Sequence, residues 1–502
     1  KGLGAPTNLA ADLLGRRPDI VAARLRAEAA SARVTAAKAE YYPNIDLAAS
    51  GMLLALTPGD LSLSALRELL RLDRDGSRQL SPAARDIALA WWQEHGEYAA
   101  ERGWLWQQYA KATSRPQWAE ITLALADGDL TTAGDLLDRS GERLPRYDRI
   151  NAATRLDDVR LAQSDAFATS QEQPADDPLY QQLGEALLAH ADELGGGSSV
   201  RHEAGSLRER QQAARWHLSI SPRLTLDLAG GHITRRNDNP AVIGVTPDES
   251  YGSARLVWRH RDGETRLTAE SRHSFDTYNP LQIEHEQQID ARLSFALAVA
   301  ARQPATESTA LRVAGMKDIE RLGLRYRPTE RDQIYLEHRW QQYATQTGTE
   351  VGNGQVWQFE AAHALRREPR SLEASVFSSH QQFGRRQTGD IFDARLDPLR
   401  PAGLAAADLG NDFFLPQNFR YHGIRLSTDT RFARDYTRAW RPYATVARTW
   451  HSNLGAGYDL AAGIAGSVFG ADHLSGTWKL AKGGANTVGL VREIGLTYRI
   501  HY

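Results

Sequence analysis

The chain has 502 residues, and its 60 Lys and Arg are balanced by 62 Asp and Glu. This balance excludes a protein that binds polyanions through net charge alone. Cysteine is absent, which excludes a disulfide framework and thiol catalysis. No apolar run of about 18 residues occurs, so no transmembrane helix is predicted. A mean hydropathy of -0.50 is nevertheless ordinary for the half-apolar strands of a membrane barrel. Because the chain begins at Lys1 without a Met, it is interpreted as a fragment or a mature piece.

Residues 1–52 predict one helix followed by the start of a strand. Pro18 suits the first turn of the helix, Asp19 lies beside it at the positive end of the helix dipole, and Pro43 ends the helix. The run Asp-Leu-Leu-Gly-Arg-Arg-Pro-Asp-Ile at 12–20 resembles the RRPD segment of outer-membrane efflux factors, the trimeric channel-tunnels. The long coiled-coil helices and second repeat of that family are missing. The resemblance therefore implies a piece of such a protein, joined by fusion, and the alternative is an ordinary Ala-rich amphipathic helix.

Residues 53–194 predict a helical scaffold built from helix-turn-helix repeats. Ala133 is followed by Pro145, and Ala162 by Pro174, at the same spacing. A small Ala allows close helix packing, and a Pro interrupts the chain before the next helix pair. The pattern resembles degenerate tetratricopeptide (TPR) repeats, which form concave binding surfaces and carry out no chemistry. An irregular helical domain is the alternative.

A glycine-rich segment, Gly195-Gly196-Gly197-Ser198-Ser199, predicts a flexible linker over 195–212. From residue 213 to 502 the sequence alternates between apolar and polar residues in segments separated by turn signals. About 14 strands are predicted, and 16 are equally acceptable. The predicted fold is therefore α+β and multidomain, with helical TPR-like repeats followed by a C-terminal antiparallel transmembrane β-barrel of about 14–16 strands. The final strand illustrates the pattern, because one face collects Ile494, Leu496, Tyr498, Ile500 and Tyr502.

The last strand also contains an exception. Arg492 falls on the same face as these apolar residues. A charged side chain on the lipid-facing side is unfavourable near the middle of the bilayer. The sequence therefore requires either a β-bulge at this point or a position at the membrane interface.

Two groups of charged residues are predicted to line the conduit. The long segment 385–418 has no periodicity, and loops of this length are usually functional or disordered. Folded into the lumen, it would narrow the pore and present carboxylates to a cation; the alternative is an exposed surface loop. Its candidate pore-loop residues are Asp390, Asp393, Asp397, Asp408 and Asp412, of which the first three are hypothesised to gate or guide the substrate. The candidate lumen residues are Glu284, Glu286, Asp290 and Arg292.

No enzyme site is predicted. The 15 histidines do not form a metal-binding spacing, and the sequence has no phosphate-binding glycine loop or nucleophile elbow. We therefore predict no catalytic residues, no metal and no cofactor. A barrel hydrolase or a non-conducting adhesin remains an alternative, because catalytic residues on a barrel would be far apart in sequence.

Helical repeats followed by a barrel, together with the segment Leu-Pro-Arg-Tyr-Asp-Arg-Ile-Asn-Ala-Ala at 144–153, resemble the PelB-type outer-membrane exporters of bacterial exopolysaccharides. The resemblance extends over roughly 55–502. It implies a porin in the lipid of the bacterial outer membrane that exports a cationic amino-sugar polymer for the biofilm matrix. It also implies a periplasmic helical domain that binds a modifying hydrolase and a ring of small lipoproteins, and no nucleic-acid partner. Residues 1–52 favour the alternative of an efflux channel.

Overall fold

The computed structural model describes residues 63–76, 80–109, 116–172, 177–188, 190–260, 262–290, 292–367, 370–386, 395–405, 411–484 and 489–502. The chain separates into two units, 1–189 and 190–502. The predicted efflux-factor-like segment, 1–52, lies outside the described residues. Within the described ranges, no helix has both the length and the apolar character required to span a bilayer.

The first unit is helical. Its described helices are α1 Leu63–Gly76, α2 Pro82–Glu94, α3 Tyr98–Tyr109, α4 Gln117–Asp127, α5 Leu130–Ser140, α6 Arg146–Arg155, α7 Val159–Glu172 and α8 Asp177–Leu188. Ala133 and Ala162 are buried in one apolar cluster with Ile121 and Leu125, and their small side chains allow adjacent helices to approach closely. Gly128 adopts a left-handed conformation with φ 74° and ends α4 immediately before α5 begins, which makes a tight helix-turn-helix connection.

The start of α5 depends on a side-chain cap. The Asp129 carboxylate accepts hydrogen bonds from the Thr132 backbone N–H at 3.0 Å and from the Thr132 hydroxyl at 2.6 Å. Replacing Asp129 with Ala should cost about 1 kcal/mol of local stability, so the amides of α5 should exchange about fivefold faster in hydrogen-exchange mass spectrometry of the full chain. The matched control is Asp138→Ala on the same helix. Equal effects of the two variants would contradict the capping role.

The Asp129 cap should also be sensitive to pH. The hydrogen bond from the Thr132 hydroxyl lowers the pKa of Asp129. A carboxyl group whose folded-state pKa is depressed stabilises the fold fully above its unfolded pKa, and this contribution is lost as the pH falls through the folded value. Protection of α5 in the native chain should therefore decrease on acidification below about pH 4, and the decrease should be smaller in the Asp129→Ala variant.

The second unit is a closed antiparallel barrel of sixteen strands. This number confirms the upper value of the predicted range of about 14–16. Its elements are β1 Glu193–Glu203, β2 Leu207–Ser221, β3 Leu224–Asn237, β4 Glu249–His260, β5 Gly263–His273, β6 Thr277–Tyr278, β7 Leu281–Gln288, β8 Leu293–Pro304, α9 Thr309–Ala314, β9 Gly315–Tyr326, β10 Asp332–Thr345, β11 Glu350–Arg366, β12 Leu372–Arg385, β13 Phe419–Thr428, β14 Arg441–His451, β15 Gly455–Gly466, β16 Asp472–Lys482 and β17 Leu490–His501. The two-residue β6 pairs with β5 ahead of β7. The other sixteen strands close the barrel, because β1 pairs with both β2 and β17.

The apolar face of β17 points outward, as the sequence predicts. Ile494 and Leu496 are 63% and 54% exposed, and they oppose Val200 and Ser198 of β1. Such exposure is unfavourable in water and suits contact with lipid, since barrel strands alternate apolar residues outward with polar residues inward.

The linker predicted over 195–212 is wrong, because these residues form most of β1 and the first part of β2. The glycines serve close packing rather than flexibility. A Cβ at Gly195 would lie 3.0 Å from the Arg499 Cβ, and one at Gly197 would lie 3.1 Å from the Thr497 Cγ2. Glycine on β1 therefore leaves room for the inward side chains of β17, and the barrel begins at Glu193.

A second correction concerns Asp290 and Arg292, which are predicted to line the lumen. The chain turns between β7 and β8, and the Asp290 carboxylate accepts hydrogen bonds from the backbone N–H groups of Arg292 at 2.7 Å and Leu293 at 2.9 Å. Asp290 and Arg292 are thus exposed turn residues and not part of the strand wall. The alternation of polar and apolar residues continues through the turn without a break, so the pattern does not reveal it. The turn is stabilised by the Asp side chain, which accepts hydrogen bonds from the backbone of the residues that follow it.

The connections differ between the two ends of the barrel. The end that carries Glu193 and His501, here called the terminal end, has short turns such as those after β4 and β15, with one longer connection at 429–440. The opposite end, here called the loop end, carries the long connections 238–248, 305–314 and 386–418.

Candidate conduit and its plug

The interior of the barrel is polar, and its ion pairs identify the inward face. Glu284 of β7 and Arg321 of β9 form an ion pair although their strands are not adjacent. The residue between them in the same row is Ala298 of β8, whose small side chain allows them to meet over it on the concave side. Glu284 also pairs with Arg266 at 3.2 Å. Glu286 pairs with Arg325 of β9 at 2.9 Å. The predicted lumen residues Glu284 and Glu286, which lie on a strand, therefore both face inward.

One side of the interior, from β2 to β10, is densely charged. Near the loop end, Arg235 and Arg272 both bind the carboxylate of Glu249, whose side chain is only 3% exposed. Arg235 also pairs with Glu209 at 3.2 Å, and Arg272 with Glu270 at 2.8 Å. Buried charges of this kind are tolerated when each has a partner, so this side is a cross-linked wall with little surplus charge.

The other side, formed by β13 to β17 and β1, has small side chains at many inward positions, beside charged residues such as Arg425, Lys479 and Glu493. The inward positions of this small-residue wall include Gly423, Thr445, Ala447, Thr449, Gly457, Ala461, Gly463, Ser475, Thr477, Gly495, Thr497, Gly195, Gly197 and Ser199. Asp459 of β15 is exposed among them, between Ala447 and Ala481 on the neighbouring strands. It forms no ion pair with the described residues. Small side chains leave free cross-section along this wall, lined by hydroxyl and backbone groups.

The short helix α9 packs against the inward face of the barrel at the loop end. Ser308 caps the helix by accepting a hydrogen bond from the Leu311 N–H at 3.1 Å. Leu311 is fully buried in a cluster with the inward strand residues Tyr343 and Phe383, and Val313 is fully buried in a second cluster. The first cluster contains Ala305, Ala310, Leu311, Tyr343, Val351, Phe383, Phe414, Leu415 and Phe419. The second contains Leu207, Ile243, Val313, Ala314, Leu396 and Leu399.

Two long loops pack with α9 and pair with each other. The backbone N–H groups of Gly244 and Val245 donate to the carbonyls of Leu399 at 2.8 Å and Pro398 at 2.7 Å. A Cβ at position 244 would lie 2.3 Å from the Pro398 carbonyl oxygen, so this approach requires glycine. We call the body formed by 238–248, 305–314, 395–405 and 411–416 the plug. Within these described residues, it places apolar side chains against β2 and against β10 to β13.

Polar contacts attach the plug to the barrel wall. The Thr309 hydroxyl lies 2.8 Å from that of Ser206 in the β1–β2 turn. Arg312 lies 3.5 Å from Glu209 and 3.6 Å from Glu203. The Gln346 amide donates to the Val313 carbonyl at 3.2 Å. These hydrogen bonds and ion pairs can be exchanged for bonds to water, so the attachments are separable.

The predicted loop carboxylates have structural partners where they are described. Asp397 pairs with Arg400 at 2.8 Å, and Asp412 pairs with Arg385. Asp390, Asp393 and Asp408 lie outside the described residues. Sequence reasoning missed the role of α9, although Ser308 followed by an apolar run is a recognisable helix start. Among the described residues, no group of His, Asp and Glu could hold a metal ion.

Comparison with known proteins identifies the barrel. The model of the family described as PelB, C-terminal beta barrel domain, matches residues 188–501. The chain belongs to this family. The PelB-type barrel is an outer-membrane barrel, and membership supports a role in outer-membrane polysaccharide export.

Two solved structures are similar to this chain at low sequence identity. A bacterial polysaccharide outer membrane secretin is 10% identical, with a TM-score of 0.46, over 62% of this chain and 99% of that chain. Wzi of Escherichia coli, described as a carbohydrate-binding β-barrel involved in group 1 capsule assembly, is 7% identical, with a TM-score of 0.33, over 65% and 88%. A curated relative, the fusaric acid resistance protein FusA of Burkholderia cepacia, is 55% identical over 47 residues. That match spans only 9% of this chain and 9% of the relative.

The family assignment orients the PelB-type barrel. In outer-membrane barrels, short turns face the periplasm and long loops face outside. The terminal end is therefore periplasmic and the loop end, with its plug, is extracellular. The helical unit, which precedes β1 in the chain, is periplasmic.

Proposed function

We propose that this chain exports a cationic, partly deacetylated amino-sugar polymer of the Pel type through the barrel, as a gated conduit and without catalysis. One observation carries the proposal: in a closed barrel with a polar interior, the barrel's own connections pack against the inner wall at the extracellular end. A lumen wide enough for a polysaccharide would leak small solutes if it stayed open. A plug held by separable polar contacts supports closure at rest and opening during export.

The small-residue wall is the proposed path of the polymer. Sugars present hydroxyl groups that exchange hydrogen bonds readily with Ser, Thr and backbone groups, and the small side chains leave space for a chain to slide. On the charged side, carboxylates such as Glu284 and Glu249 are already paired with arginines, so they attract a cation weakly. Asp459 is the carboxylate that we propose contacts an ammonium group of the polymer.

We further propose that the helical unit binds periplasmic partners in TPR fashion, among them a modifying hydrolase and a ring of small lipoproteins. Buried alanines in a tight helix-turn-helix support repeat packing. Repeats of this type provide binding surfaces and leave chemistry to their partners.

Loosening the plug should open the conduit. Leu311→Ala removes a fully buried side chain from the first apolar cluster, and a change of this type typically costs about 2–5 kcal/mol. The full chain in a planar bilayer should show rare or small conductance, and Leu311→Ala should open far more often. The control is Leu297→Ala, which alters an exposed side chain on the lipid-facing side. A Leu311→Ala channel that is as silent as the parent would contradict the plug as the barrier.

The same channel tests the substrate class. Short cationic amino-sugar oligomers should block the current of Leu311→Ala, whereas neutral or anionic oligomers of equal length should not. Adding Asp459→Asn should weaken this block several-fold at low salt, because a single solvated ion pair contributes up to about 1 kcal/mol. Equal block by neutral oligomers would overturn the cationic substrate and leave the conduit in place.

A further inference from the structure

Arg492, the exception in the final strand, occupies the membrane interface. The register of β17 with β1 and with β16 is continuous through this residue, so no bulge turns it inward. Arg492 is exposed and is the next outward position after Ile494 toward the loop end. The apolar stretch from Tyr502 to Ile494 therefore ends at the extracellular leaflet, where Arg492 begins a polar band.

Neighbouring strands place further basic side chains in the same row. Arg492 is directly opposite His202 of β1, His202 is opposite Arg208 of β2, and Arg208 is opposite Arg236 of β3. Arg210 occupies the next outward position on β2, opposite Thr234. Three strand spacings give this row a width of about 14 Å. We call these residues, His202, Arg208, Arg210, Arg236 and Arg492, the outer basic patch.

The outer basic patch contains more cations than the protein neutralises. Asp238 binds His202 at 2.7 Å and lies 3.8 Å from Arg208. Arg210, Arg236 and Arg492 form no ion pair with any described residue, and all three are exposed. Like charges directly opposite each other destabilise a sheet, so Arg208 beside Arg236 is unfavourable unless an anion lies between them.

The membrane position of the patch indicates what that anion is. On the same outward faces, the strand ends toward the periplasm carry apolar side chains such as Leu194, Trp216 and Leu226. The arginines thus lie at the height of the extracellular headgroups and not above the membrane in free solvent. An Arg guanidinium binds phosphate oxygens in a bidentate manner, which a Lys ammonium does not.

We propose that the outer basic patch is a binding site for the phosphorylated glycolipid of the outer leaflet, lipopolysaccharide, through the phosphates of its lipid A. The occupant is lipid-bound phosphate at a fixed place on the barrel, formed by β17 and β1 to β3. This site is separate from the conduit and does not depend on the exported polymer.

The test compares two pairs of exposed arginines on the full chain in detergent. Arg210→Gln with Arg236→Gln removes two members of the patch. Arg420→Gln with Arg448→Gln makes the same charge change at exposed, outward positions on β13 and β14, where the two arginines are not cross-strand partners. Bisphosphorylated lipid A is titrated against each protein, with dephosphorylated lipid A, phosphatidylglycerol and inorganic phosphate as the other probes. Heat-modifiable migration on gels confirms that each barrel is folded.

Bisphosphorylated lipid A should bind the parent chain, and the patch variant should bind it at least about tenfold more weakly, with the control pair close to the parent. Affinity should fall with salt, and dephosphorylated lipid A should bind poorly. The proposal is overturned if the control pair loses as much affinity as the patch pair, if dephosphorylated lipid A or phosphatidylglycerol binds equally well, or if inorganic phosphate binds as tightly as lipid A. If the patch variant is misfolded, Arg210→Lys with Arg236→Lys replaces it, and undiminished binding by that variant counts against bidentate recognition.

Discussion

Oxidation of a Ser206→Cys, Thr309→Cys double variant is expected to abolish export, and reduction is expected to restore it. The two hydroxyl oxygens are 2.8 Å apart, so the side chains already point at each other, as a disulfide requires. Ser206 belongs to the barrel wall and Thr309 to α9, and a covalent bond between them would fix the plug in the closed position. The native chain has no cysteine, so within one chain the introduced pair can form only this bond.

The effect of the disulfide is measured as single-channel current and as polymer released by cells. Both are recorded before and after addition of a membrane-permeable reductant. Each single cysteine variant is a control, because it removes the same hydroxyl contact and cannot form a bridge within the chain. Introduction of Leu311→Ala into the oxidised variant should give no opening, whereas the reduced form should open as Leu311→Ala alone does. Undiminished export by the fully oxidised double variant would show that the polymer does not displace α9.

The strand pattern could be predicted because lipid and water select opposite faces of each strand. The alternation in β17, from Ile494 to Tyr502, carries that selection without any tertiary information. For the same reason, the predicted range of about 14–16 strands includes the sixteen that close the barrel. The ends of the strands are harder to predict from this alternation. Asp290 and Arg292 continue it through a hairpin, and only the hydrogen bonds of the Asp290 carboxylate to the backbone show the turn.

The functional features depended on contacts between distant segments. Gly195 and Gly197 read as a linker because their close approach to β17 follows from barrel closure, which joins residues some 300 positions apart. The plug is hidden for a similar reason, since Leu311, Ile243 and Leu399 come from three different connections. In the segment 385–418 the sequence draws attention to charged residues such as Asp397, whereas the buried apolar residues make the contacts that hold the plug together. Arg492 was recognised as anomalous, but its partners in the outer basic patch required the strand register.

Glu249→Gln should destabilise the barrel more than the loss of any surface ion pair. The Glu249 carboxylate is nearly completely buried and is shared by Arg235 and Arg272. Removing its charge leaves two guanidinium groups short of a partner in a low-dielectric site, and breaking a buried pair in this way typically costs about 3–5 kcal/mol. Because Glu209 and Glu270 still pair with these arginines, we expect a loss of about 3 kcal/mol in the free energy of unfolding by urea.

The matched control for this loss is Glu493→Gln, which removes the same charge from another inward strand position. Its partner Lys479 lies at 3.3 Å, and the two side chains are 30% and 49% exposed, for Glu493 and Lys479 respectively. A solvated pair of this kind contributes about 0–1 kcal/mol, so Glu493→Gln should unfold close to the parent midpoint. Both variants are refolded into the same detergent, and the fraction folded is read from heat-modifiable migration and tryptophan fluorescence. Equal midpoints for the two variants would mean that water reaches Glu249 and that the charged wall is open to the lumen. A lower midpoint for Glu249→Gln alone would establish that the Arg235–Glu249–Arg272 cluster stabilises the wall formed by β3, β4 and β5, in addition to their backbone pairing.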